Sequence, residues 1–212
     1  MQLFQSGTQF GSPPTVVTAY WPPFLYTEFM EPTWKLKKVT LFVSGICTTD
    51  RTGPGGWACR LHFNDVVSEM CGCDPQTTGN QMALRAALEG LKVIKERCRV
   101  TMLTTSEYLQ NGMTRWLPIW KTNGWQTKTG AVKNQELWKE LGDAAAQHVM
   151  RWWMVKPNSA DIEEYQICEK LATEAAAQQI SSPLVRKLPD RVTTATIPDA
   201  VTSGGNDEKI VA

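Results

Sequence analysis

The 212-residue sequence has only two histidines, His62 and His148, and almost no charge excess, with 22 Lys and Arg against 21 Asp and Glu. A net charge of +1 does not advertise nucleic-acid binding, so any basic surface has to be local. No apolar run approaches the ~20 residues that a membrane span needs. The N-terminal stretch lacks the basic start and apolar centre of a secretory signal, and the arginines of a typical mitochondrial presequence. There is no internal repeat. His62 is the only histidine near Cys71-x-Cys73, and no second Cys pair is suitably spaced, so zinc is not expected. The six cysteines (Cys47, Cys59, Cys71, Cys73, Cys98 and Cys168) read as reduced and mostly buried, because a chain of this length needs no disulfide scaffold.

What the sequence has in plenty is tryptophan, nine residues against four Tyr and six Phe. These indoles need a large core or flat contact surfaces. Three zones stand out. Residues 1–35 interleave Tyr20, Trp21, Phe24, Tyr26, Phe29 and Trp34 with prolines that forbid a helix, and read as an extension that adheres to its own domain or a partner. Residues 180–212 are rich in Ser, Thr, Pro and Gly and read as an irregular tail. Residues 36–179 carry the pattern of a folded domain.

Within that domain Val39–Ile46 reads as a strand and Gly53-Pro54-Gly55-Gly56 as a turn. Trp57–Phe63 and Val66–Cys73 form a hairpin about Asn64-Asp65. Leu84, Leu88 and Leu91 then mark a helix. Arg99–Leu103 is a fourth strand. Ser106 caps a short helix ending at Gly112, another spans Trp116–Lys121, and Asn134 caps a third. Val149–Val155 is a fifth strand, and its Trp152-Trp153 pair sends two indoles to opposite faces, one to the core and one under a helix or to a contact surface. Ile162–Gln179 is the last helix. The order implies an α/β domain with a five-stranded mixed sheet, three antiparallel strands followed by βα units, and helices on both faces.

This order, with the residues at its joints, resembles type 1 ribonuclease H over about 36–177. The stretches that carry the likeness are Gly53-Pro54-Gly55-Gly56-Trp57, Thr77-Thr78-Gly79-Asn80-Gln81-Met82 and Thr105-Ser106-Glu107-Tyr108. To these are added the run from Trp116 through Trp120-Lys121 and Gly124-Trp125 to Val132-Lys133-Asn134 and Trp138, and Cys168-Glu169-Lys170-Leu171-Ala172. The resemblance implies two metal ions ~3.5–4 Å apart, held by carboxylates that suit hard cations. At the four positions where the family places its carboxylates this chain has Ser44, Ala83, Thr105 and Glu169. The family's flexible-loop histidine is matched by Asn158 or Ser159. Asp50, Glu107, Glu163 and Glu164 are nearby acids in the sequence, but Asp50 falls in a turn and Ser106 starts a helix that turns Glu107 away. No catalytic residue, no metal and no cofactor are therefore expected, with Mg²⁺ lost.

Binding residues remain. Arg115, Lys121, Lys128, Lys133 and Lys139 stand against Glu136 alone, close to Trp116, Trp120 and Trp125, a composition suited to phosphate contact with stacking. In the family this run is a basic protrusion lying against an RNA–DNA hybrid, and its tryptophans also pack helices together. Thr78, Asn80 and Gln81 resemble hybrid-contacting residues, or simply cap a helix. The expectation is an inactive ribonuclease H-fold protein acting as an intracellular structural or assembly subunit. A ribonucleoprotein such as a mitochondrial ribosome is one setting, and a cytoplasmic or nuclear one is another. Its partners would be RNA or an RNA–DNA hybrid, with proteins held through 1–35 and 180–212 and no membrane. One alternative is a divergent metal-dependent hybrid nuclease. Another is a viral or retroelement-derived protein-interaction module.

Overall fold

The computed structural model describes residues 33–179 and 184–188. The aromatics expected to anchor the N-terminal extension lie outside these residues, apart from Trp34, which is exposed on a short 3-10 turn at Thr33–Lys35. In chain order the elements are β1 (Lys38–Cys47), β2 (Gly53–Phe63), β3 (Val66–Thr77), α1 (Gly79–Lys92), β4 (Arg99–Thr104) and α2 (Glu107–Asn111). A π-helical turn (Gly112–Trp116), α3 (Leu117–Thr122) and a minimal hairpin of β5 (Gln126–Thr127) and β6 (Gly130–Ala131) follow. The chain then forms α4 (Gln135–Ala146), β7 (Val149–Met154), α5 (Ile162–Ala177) and β8 (Leu184–Leu188). The main sheet has the order β7-β4-β1-β2-β3-β8. β1, β2 and β3 are an antiparallel meander, while β4 runs parallel to β1 and β7 parallel to β4.

Strand periodicity divides the core. Leu41 and Val43 of β1 join Leu84, Leu88 and Leu91 of α1 in one buried cluster, which extends to Trp138 of α4. Phe42, between them, turns to the opposite face and packs with Ala58, Leu103, Tyr165 and Cys168. All six cysteines are free, and four of them are buried. The Cys168 thiol donates to the carbonyls of Phe42 and Ala58, tying α5 to the sheet.

Two sequence expectations change. The main sheet has six strands, not five. The sixth, β8, comes from the tail expected to be irregular and pairs antiparallel with β3 from Val67↔Leu188 to Cys71↔Leu184. Leu184-Val185 is a short β-prone stretch that a composition average hides, and β3 supplies an edge for it. Gly53-Pro54-Gly55-Gly56 is the opening of β2, irregular between Gly53 and Gly55, and not a free turn. Glycine is required there by crowding, since a Cβ on Gly56 would lie 1.9 Å from the Ala172 carbonyl oxygen of α5.

Candidate functional site

The C-terminal ends of β1 and β4 and the N-terminus of α1 border a cavity of about 680 Å³, lined in part by Asp50, Thr78, Asn80, Gln81, Ala83, Thr105 and Lys133. Its α1 wall is held by a reciprocal cap. The Thr78 hydroxyl accepts the Gln81 N–H at 3.2 Å, and Gln81 Oε1 accepts the Thr78 N–H at 3.0 Å. Thr78 and Gln81 are thus helix-capping residues that also face the cavity, and Asn80 is exposed beside them. The α1 backbone lies close against Gly45 of β1, where a Cβ would stand 2.1 Å from the Ala83 nitrogen.

Beside this cavity is a centre made of hydroxyls. The Tyr165 hydroxyl lies 2.6 Å from Thr105 Oγ1 and 3.3 Å from Ser44 Oγ. Ser44 and Tyr165 are buried, whereas Thr105 is exposed toward the cavity. Burial pushes the phenol pKa of Tyr165 up and Glu169 adds to this, while the hydrogen bonds to Ser44 and Thr105 oppose it. The group is therefore a neutral phenol near neutral pH. Glu169 sits one helical turn further along α5 and is exposed.

Three of the four positions that the resemblance associates with metal ligands carry no carboxylate here. Neutral hydroxyls cannot offset the charge of two close dications, and Ala83 offers no donor at all. Among the described residues no group of three His, Cys, Asp or Glu side chains is placed to hold a metal. The residues present do not fit a two-Mg²⁺ centre. Of the other acids, Glu164 lies under the sheet, with Oε2 2.6 Å from Arg60 Nε and 3.0 Å from His62 Nε2. Hydrogen bonding to His62 and the charge of Arg60 hold its carboxyl below the usual range against the opposing effect of burial. Arg60 also pairs with buried Glu69. Glu107 opens α2 and is exposed, as the Ser106 cap requires, with the Leu109 N–H donating to Ser106 Oγ at 3.2 Å. Asp50 alone of these acids lines the cavity.

The aromatic run forms a chain of tilted and edge-on ring contacts. Trp116 packs on Tyr108 and Trp120, and Trp120 on Trp125 and Trp138. Trp138 is fully buried, whereas Trp116, Trp120 and Trp125 are half-buried. Trp120 and Trp125 pack against the core, so these indoles are structural on one side and available on the other. Of the basic residues, Lys133 lines the cavity, while Arg115, Lys121 and Lys128 are exposed on the protrusion away from it. Asn134 does not cap α4 with its side chain. It takes a left-handed conformation (φ 59°), and its Nδ2 donates to the Tyr108 hydroxyl at 3.2 Å. Trp138 Nε1 donates to the same hydroxyl at 3.0 Å, so Tyr108 links the protrusion to the cavity wall.

The RNase H family model matches residues 36–177, and the chain belongs to the ribonuclease H family, type 1. It is 40% identical over 148 residues to the ribonuclease H of Solibacter usitatus, covering 69% of this chain and all of that protein. It is 43% identical over 127 residues to the ribonuclease H of Legionella pneumophila, covering 59% of this chain and 88% of that one. Among solved structures it is similar to LC9-RNase H1, a type 1 RNase H with the type 2 active-site motif. The TM-score is 0.63 at 30% identity, over 69% of this chain and 75% of that one.

These relatives correct the expected function. Proteins 40–43% identical to this chain are named ribonuclease H, which points to an enzyme and overturns the reading as an inactive structural subunit. The relatives carry no indication of a ribosomal or mitochondrial setting. Sequence reasoning missed Tyr165. Its signal was its position four residues before Glu169 on α5, which places both on one helix face.

Proposed function

We propose that this chain is a divergent ribonuclease H that acts on RNA–DNA hybrids. The observation that carries the reading is the similarity of its whole folded domain to proteins named ribonuclease H, at 40–43% identity and over 88–100% of their length. The geometry agrees with a duplex lying across the cavity mouth. Lys133 is positioned to neutralise a phosphate, Asn80 and the helix terminus behind it offer polar groups to a backbone, and the exposed Arg115, Lys121 and Lys128 extend the positive charge along the protrusion. The hydroxyl centre, with no carboxylate at Ser44, Ala83 or Thr105, does not fit two dications.

The test is incubation of the full chain with an end-labelled RNA–DNA hybrid, with Mg²⁺, with Mn²⁺ and with EDTA, alongside Lys133→Glu. Cleavage of the RNA strand, weakened in Lys133→Glu, is expected. A hybrid left intact under all three conditions would overturn the nuclease reading. A hybrid bound equally by Lys133→Glu would overturn the placement of the duplex.

A further inference from the structure

α5 covers the sheet over β1, β2 and β3 and buries Leu103 of β4, but among the described residues Arg151 and Trp153 of β7 stay exposed on that face. Register shows what lies there. Phe42, Leu103 and Trp153 form one cross-strand row, and Thr40, Thr101 and Arg151 form the next. Lys38 and Arg99 follow on β1 and β4. Since Phe42 and Leu103 belong to the α5-side cluster, the whole set projects to that face. The two indoles of Trp152-Trp153 are thereby resolved. Trp152 packs into the α1-side core, while Trp153 is 54% exposed on an edge strand.

We infer that this open face, built on Trp153, Arg151, Arg99 and Lys38, binds single-stranded nucleic acid. An exposed indole offers a base a stacking surface, and rows two residues apart place cations ~7 Å along the strand from it, near the spacing of successive phosphates. Among the described residues none of the three cations forms an ion pair, and the acids on this side are engaged elsewhere: Glu96, three residues before Arg99, by Lys37 at 2.6 Å, Glu69 by Arg60, and Glu164 by Arg60 and His62. Arg99 is oriented by donating to the Thr33 carbonyl at 2.6 Å. Thr40 and Thr101, half-buried between the cations, add hydroxyls. This surface is distinct from the cavity under the protrusion, and it would hold a displaced or flanking single strand while the duplex lies elsewhere.

The test is fluorescence anisotropy with the full chain and a labelled 20-nucleotide oligo(U), with an RNA–DNA hybrid measured in parallel. Trp153→Ala should weaken oligo(U) binding about tenfold and Trp153→Phe should retain most of it. Arg151→Gln should lower the salt dependence by about 0.7 in the log–log slope. Trp153 and Arg151 are exposed, so these variants keep the fold, and circular dichroism checks that they do. Trp153-dependent oligo(U) binding supports this surface even if the hybrid is not bound, which separates its fate from that of the proposed function. No oligo(U) binding by the full chain, or binding unchanged in both Trp153→Ala and Arg151→Gln, would overturn it. So would displacement of oligo(U) by polyglutamate with Trp153→Ala unaffected, which would make the face a site for acidic protein.

Discussion

Tyr165 and Thr105 meet hydroxyl to hydroxyl at 2.6 Å, joining the start of α5 to the end of β4. Tyr165 makes a second contact with buried Ser44, so one phenol satisfies the polar groups of two strands. Replacing Tyr165 with Phe should therefore cost about 1–2 kcal/mol, because Ser44 is left without its partner in a dry position. Urea denaturation of the variant checks this, and an unchanged midpoint would mean that the hydroxyls do not stabilise the fold.

Carboxylates placed at the same backbone positions should recruit metal. Ser44→Asp, Ala83→Glu and Thr105→Asp combined are expected to raise Mg²⁺ affinity at least tenfold over the natural sequence, roughly 1.4 kcal/mol. Titration calorimetry of the folded variant is the measurement. Ala83 is only 4% exposed, so the variant's thermal melt has to be recorded beside it.

Gly45 sets how closely α1 approaches β1. In Gly45→Ala the new methyl would meet backbone atoms of Met82 and Ala83, which cannot rotate away. A loss of about 1–3 kcal/mol is expected, with α1 displaced from the sheet. Faster hydrogen exchange across Asn80–Ala83 would report the displacement, and protection equal to the parent would contradict it.

His148 predicts a pH dependence. Its ring is buried, Nδ1 accepts the Cys98 N–H at 3.3 Å, and burial holds its pKa below the usual 6.5. As pH falls through 6.5 the unfolded chain takes up a proton that the folded ring resists, so the stability contributed by the neutral ring is complete above that value and declines below it. Glu164, also depressed, acts in the same direction at lower pH, its contribution being present above about 4.5 and lost beneath it. Urea midpoints between pH 5 and 8 should fall toward acid, and His148→Gln should flatten the part of the slope nearest pH 6.5.

The order of the main elements was legible because its signals are local, whereas the β5–β6 hairpin and β8 were not read. Period-two alternation places Leu41 and Val43 opposite Phe42, and helical spacing aligns Leu84, Leu88 and Leu91, whatever the chain does elsewhere. The Ser106 and Thr78 caps were equally readable, since capping acts within three residues. Family likeness followed from the same local pieces taken in sequence.

Long-range partners were decided only by the fold. Tyr165 gains its meaning from Ser44, which is 121 residues away in sequence and brought beside it by α5 packing on the sheet. Glu164 was an acid without an address until Arg60 and His62 drew it beneath the sheet, away from the cavity. Asn134 bonds Tyr108 instead of capping α4, because its left-handed backbone turns the amide toward another helix. β8 forms because β3 offers an edge, which no composition reports. In the Trp152-Trp153 pair, alternation sent the indoles to opposite faces, but it was the limited reach of α5 across the sheet that left Trp153 bare.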